Sequence, residues 1–75
     1  LARHELLVAD YYMRRGAFLA AANRGKYIVE FYRESPLVEQ ALEVMVESYD
    51  RLGLNKLKED TYQVLKLNFP QNTKF

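Results

Sequence analysis

The chemistry this chain offers is recognition, not bond-making. It carries one histidine, His4, and no cysteine. The serines Ser35 and Ser48 have no base at a working spacing, so no nucleophile–base pair forms and no catalytic residue is expected. Glu39, Glu43 and Glu47 recur every four residues and share a helix face with Asp50. One face gives no closed ligand set for a divalent cation, so they read as a solvated stripe, and neither metal nor cofactor is expected. Arg24 has more to offer. On a helical wheel it shares a face with Ala20, Tyr27 and Phe31, and Asn23 lies beside it. A guanidinium takes a carboxylate bidentately while its stem covers apolar surface. Arg24, Asn23, Tyr27 and Phe31 are therefore the expected partner-binding residues. Arg24 is the main charged contact among them, because the wheel gives it no core role. A plainer account has Ala20, Tyr27 and Phe31 packing on the next helical unit. Both accounts hold if the aromatics point inward and Arg24 stands at the open end.

Four helices must position these residues. The first is expected from Ala2 to Arg15, with Leu6, Ala9, Tyr12 and Met13 recurring at three- and four-residue spacing and Gly16 ending it. Arg14 and Arg15 suit the carbonyl end of its dipole. The second is expected from Ala17 to Glu34 and buries Phe18, Ala21, Gly25, Ile28, Val29 and Tyr32. Ala21 and Gly25 are small enough for a neighbour to come close, with Ala9 the expected contact. Ser35 and Pro36 suit the cap and first position of a third helix running to Leu52, whose buried stripe is Val38, Ala41, Leu42, Met45, Tyr49 and Leu52. Gly53 ends that helix. The fourth, from Asn55 to Asn68, buries Leu57, Leu65 and one of Thr61 and Tyr62, and residues 71–75 follow Pro70 as an irregular tail.

Composition limits the partners. A formal charge of +1 gives no general pull toward nucleic acid or anionic membrane. The charge is uneven: residues 1–33 carry a net +3, residues 34–53 a net −4 and residues 54–75 a net +2. Arg14, Arg15, Arg24, Lys26 and Arg33 make a basic half, but they match no nucleic-acid reading motif. No apolar run reaches the roughly 18 residues that span a bilayer. The chain opens on Leu1, well inside a helical pattern, and so reads as a piece of a longer protein.

The two hairpins share a spacing that resembles the tetratricopeptide repeat. Leu42, Met45, Val46, Tyr49, Lys58, Tyr62 and Pro70 occupy its signature places, although Val46 and Lys58 stand where small residues are usual. Val8, Ala9, Tyr12 and Ala21 match in the first hairpin. There Gly25 replaces the aromatic, and Pro36 comes three residues late, which predicts a second helix nearly a turn longer than usual. The expected fold is all-α, two antiparallel helical hairpins over residues 2–35 and 36–70 forming a short α-solenoid fragment.

A more specific resemblance lies in the run from His4 to Tyr12, the turn Arg15-Gly16-Ala17, the stretch Ala20-Ala21-Ala22-Asn23-Arg24, and Ser35-Pro36 through Leu42 and Tyr49 to Leu54. These resemble the C-terminal repeats of the BamD family, tetratricopeptide lipoproteins of the bacterial outer-membrane β-barrel assembly machinery. The resemblance weakens after Lys56. It implies a protein held by lipid on the periplasmic face of the outer membrane, whose C-terminal repeats dock the POTRA region of the barrel-inserting subunit. Other lipoproteins of the machinery are also implied partners. This fragment, without the lipidated cysteine, is expected to make no membrane contact of its own. The alternatives are a generic tetratricopeptide scaffold of another periplasmic protein and, more remotely, a basic nucleic-acid-binding bundle.

Overall fold

Two glycines set the path of the chain. In the computed structural model, which describes residues 1–75, Gly16 and Gly53 have φ of 75° and 72°, a left-handed conformation that costs glycine little. Each closes a helix in the same way. Gly16 N–H donates to Met13 O and Ala17 N–H to Tyr12 O; Gly53 N–H donates to Asp50 O and Leu54 N–H to Tyr49 O. The chain therefore reverses twice, giving α1 (Ala2–Arg14) and α2 (Phe18–Phe31), then α3 (Val38–Leu52) and α4 (Asn55–Asn68). No strand forms. The architecture is all-α, two tetratricopeptide-like hairpins in series.

The third helix is the centre of the packing. It touches all three others, whereas α4 touches only α3. One cluster joins Ala22 of α2, Leu42, Met45, Val46 and Tyr49 of α3, and Leu65 of α4. A second joins Ala2 and Leu6 of α1, Ile28 of α2 and Ala41 of α3. Full burial of a side chain such as Leu65 or Ile28 contributes about 1.5–3 kcal/mol. The small residues of α2 serve a close approach, but not the expected one. A Cβ on Gly25 would lie 2.9 Å from Ala41 O and 2.9 Å from Met45 Cγ, so the tight contact is with α3 and not with Ala9.

The second helix is shorter than the sequence implied. It ends at Phe31, and Tyr32 leaves helical geometry with φ −130° and ψ 47°. Tyr32 and Leu37 both pack against the α1–α2–α3 cluster, so the chain turns early to bring both side chains there. The α2–α3 turn thus absorbs the three residues that delay Pro36, and α2 and α4 are both 14 residues long. Matching landmarks are 37 positions apart: Tyr12 and Tyr49, Gly16 and Gly53, and the helix-ending Tyr32 and Phe69. The third helix starts at Val38 and not at Pro36. Ser35 still caps the turn before it, its Oγ accepting the Leu37 N–H at 3.1 Å.

Burial departs from expectation at three places. Leu57 is 47% exposed and Leu52 also faces solvent, because α4 has a neighbour on one side only and Leu52 ends its helix. Ser48 is fully buried and donates to Met13 Sδ at 3.1 Å. The tail has no helix, yet Asn72 is buried. Its Nδ2 donates to Glu39 Oε2 and Glu43 Oε2, each at 2.7 Å, and its carbonyl accepts from Lys66 Nζ at 2.6 Å.

Candidate functional site

The outward face of α2 follows from what its inward face must be. Ala21, Ala22 and Gly25 are buried, and their small size lets α2 lie close to its neighbours. The bulky residues of the same helix fall on the other side, where nothing covers them. Phe31 is 66% exposed and Tyr27 43% exposed. Their rings stack on each other with centroids 4.6 Å apart and a 37° tilt, and Tyr32 extends the group at 6.1 Å from Tyr27. The account in which these aromatics pack on the next helical unit does not hold, since α3 is met by the opposite face of α2. Asn23 is exposed, and Ala20 is half-buried.

Arg24 has a role that the helical wheel missed. Its Nη1 lies 2.6 Å from Glu5 Oε1 of α1, with the arginine side chain 43% and the glutamate 13% exposed. The guanidinium pKa is raised above its ordinary value, first by the hydrogen bond to Glu5, then by the charge of Glu5, with desolvation opposing and Tyr12 adding a smaller effect. The expectation that no structural role accounts for Arg24 is thereby corrected: it ties the two helices of the first hairpin together. Glu5 lies eleven residues before Gly16 and Arg24 eight after it, so the hairpin turn brings them roughly level. That near-symmetry about the glycine is the sequence signal that could have paired them.

The pair leaves Arg24 with capacity to spare. A guanidinium carries five N–H donors in a fixed plane. Glu5 takes a hydrogen bond from Nη1, and no other protein group accepts one from this side chain. A half-exposed arginine, oriented by a shielded carboxylate and flanked by exposed stacked aromatics, is a surface that can receive an acidic group and cover an apolar one. The other cations of the basic half are dispersed. Arg15 lies over the Tyr11 ring at 5.4 Å, Arg51 over Phe18 at 5.4 Å, and Arg33 Nε donates to Glu30 O at 3.4 Å.

The acidic stripe of α3 is on another surface. Glu39 and Glu43 both accept from Asn72, and Glu47 holds Arg51 at 3.6 Å. Lys58, at a place where the repeat usually has a small residue, reaches out to Asp50 Oδ1 at 3.0 Å, and that hydrogen bond raises its pKa.

Comparison with known proteins adds to this geometry. A family model described as outer membrane lipoprotein, YfiO, matches residues 1–65. The chain is 43% identical over 72 residues to the outer membrane protein assembly factor BamD of Neisseria meningitidis serogroup A, covering 96% of this chain and 27% of that protein. It is 38% identical over 68 residues to the BamD of Vibrio cholerae, covering 91% and 28%. Against the BamD of Haemophilus influenzae it is 37% identical over 68 residues, covering 91% and 26%. The chain spans about a quarter of the length of these relatives. No helix is long and apolar enough to cross a membrane.

Proposed function

Because the chain belongs to the YfiO family of outer membrane lipoproteins, we propose that it is a non-catalytic docking scaffold in outer-membrane protein assembly, working at the periplasmic face of that membrane. Its partner is the POTRA region of the barrel-inserting subunit, met by the outward face of α2. Arg24 supplies the charged contact, Asn23 an adjacent amide, and Tyr27 and Phe31 the apolar cover. Other lipoproteins of the machinery are further partners of the same scaffold. The observation that carries this reading is the exposed Tyr27–Phe31 pair beside an arginine already fixed by Glu5. Large aromatics next to arginine are the residue types that dominate binding energy at protein interfaces.

The test must respect the Glu5 pair. Reversing the charge of Arg24 alone would set two carboxylates against each other in the hairpin and confuse folding with binding. The double variant Glu5→Gln, Arg24→Gln removes both charges together. Phe31→Ser, tested separately, changes an exposed side chain that touches no core. Truncating an interface aromatic of this kind costs about 2 kcal/mol or more, roughly thirtyfold in affinity. Both variants are expected to keep the helical circular dichroism of the parent and to lose capture of the POTRA region. Parent-like capture by both would overturn the proposal.

A further inference from the structure

A groove of about 340 Å³ runs between α1 and α3, on helices other than the one that presents the aromatic pair. Leu6, Met13 and Val44 give it an apolar floor, and Asp10, Glu43 and Glu47 give it acidic walls. Lys74, from the tail, is the one cation lining it. Asp10, Glu39 and Glu43 form no ion pair, and Glu47 holds only Arg51 at 3.6 Å. Like charges crowded on one side of a groove raise its potential and favour a cationic ligand.

What already occupies the rim indicates the ligand's form. Asn72 Nδ2 stands between Glu39 and Glu43 and donates to both at 2.7 Å, while Asn72 Oδ1 accepts the Lys74 N–H at 3.1 Å. A primary amide carries two N–H groups, so it can satisfy two carboxylates, yet it cancels none of their charge. A guanidinium or ammonium in that place would donate to the same oxygens and neutralise them, and charge-assisted hydrogen bonds are roughly twice as strong as neutral ones. The tail lies there without helical structure, so the rim accepts non-helical chain.

We infer that the α1–α3 groove docks a basic, extended segment of a partner protein, and that the tail from Asn72 onward occupies the site until that segment displaces it. The tail is a weak occupant by its own chemistry. It brings one ammonium and one neutral amide to a surface bearing Asp10, Glu39, Glu43 and Glu47. Its hold depends on the Asn72 side chain and on Lys66 Nζ donating to the Asn72 carbonyl. An arginine-bearing segment brings the same donors with charge added, and apolar side chains between its arginines would cover Leu6, Met13 and Val44.

The experiment titrates the chain with a fluorescein-labelled ten-residue peptide of alternating arginine and alanine, read by anisotropy. Asn72→Ala releases the tail, and the affinity is expected to rise about tenfold, the worth of a competing contact removed. Glu39→Gln with Glu43→Gln is expected to weaken binding about tenfold or more, as two charge-assisted contacts are lost. Glu59→Gln with Asp60→Gln removes the same formal charge from exposed positions of α4 and is expected to change affinity less than about twofold, since exposed distant charges are screened. Should the Glu39, Glu43 variant lose helicity, Asp10→Asn with Glu47→Gln gives the same reading from the groove walls. Equal weakening by the groove pair and the α4 pair would reduce the effect to general charge attraction and overturn the inference. An Asn72→Ala variant that binds no more tightly than the parent would overturn the role of the tail.

Discussion

Replacing Gly25 with alanine tests the contact on which the two hairpins stack. The substitution adds one methyl group to the middle of a helix, where alanine is normally favoured over glycine by about 1 kcal/mol. Here the new Cβ would stand 2.9 Å from the Ala41 carbonyl oxygen and 2.9 Å from Met45 Cγ, where ordinary contacts begin at 3.4 Å. Neither neighbour is the free end of a flexible side chain. The oxygen belongs to the backbone of α3, and Met45 is buried in the main cluster. Relief therefore requires α3 to shift relative to α2, and overpacking of this kind costs about 1–3 kcal/mol. The balance is a loss of up to about 2 kcal/mol, and for a domain of this size each kcal/mol lowers Tm by about 4–8 °C. Thermal melting followed by circular dichroism at 222 nm reads the outcome directly. A Tm above that of the parent would mean that helix propensity wins, and that α2 and α3 do not approach each other at Gly25.

Two further outcomes follow from burial. Ala21→Leu is expected to destabilise the chain by about 1–3 kcal/mol, because Ala21 is wholly buried, while Ala20→Leu, on the half-buried outward side, should cost much less. Equal losses in the melts of the two variants would contradict the assignment of faces on α2. Burial also raises the pKa of Tyr49. The unfolded tyrosine ionises near pH 10, so above that pH the unfolded state sheds its proton first, and stability falls as pH climbs toward the folded value. Urea midpoints measured from pH 8 to pH 11 should show that fall in the parent and a shallower one in Tyr49→Phe.

Helix periodicity and the two glycines were legible in the sequence because they are local. Gly16 and Gly53 need only their own conformation to end a helix, and the fourth helix lies over the predicted span for the same reason. The position of Pro36 misled because a proline marks where a helix is forbidden, not where the preceding one stops. Tyr32 stops it earlier, drawn to a cluster built from residues as distant as Ala2 and Ala41, and no local pattern reports that cluster. The exposure of Leu57 was hidden in the same way, since a helical wheel shows an apolar position but not whether a neighbour exists to cover it. In the docking face, the residue types were legible and the Glu5 partner of Arg24 was not. A pair nineteen residues apart is made by the turn between its members.

That pairing bears on how a docking arginine can be both structural and available. An arginine free in solvent would lose rotamer freedom on meeting a partner, and that loss weakens binding. Here Glu5, the more shielded member of the pair, has already fixed the guanidinium plane through Nη1. An incoming carboxylate meets an oriented fork and uses donors that Glu5 leaves free, beside aromatic rings whose stacking limits their own motion. The folding of the first hairpin thus prepares its surface. The small residues on one side of α2 admit α3, the hairpin turn brings Glu5 to Arg24, and the bulky side chains that cannot fit inward become the face a partner can use. Removing Glu5 while keeping Arg24 would release the fork from its orientation without removing its charge, so the contribution of preorganisation is separable in principle from the contribution of charge.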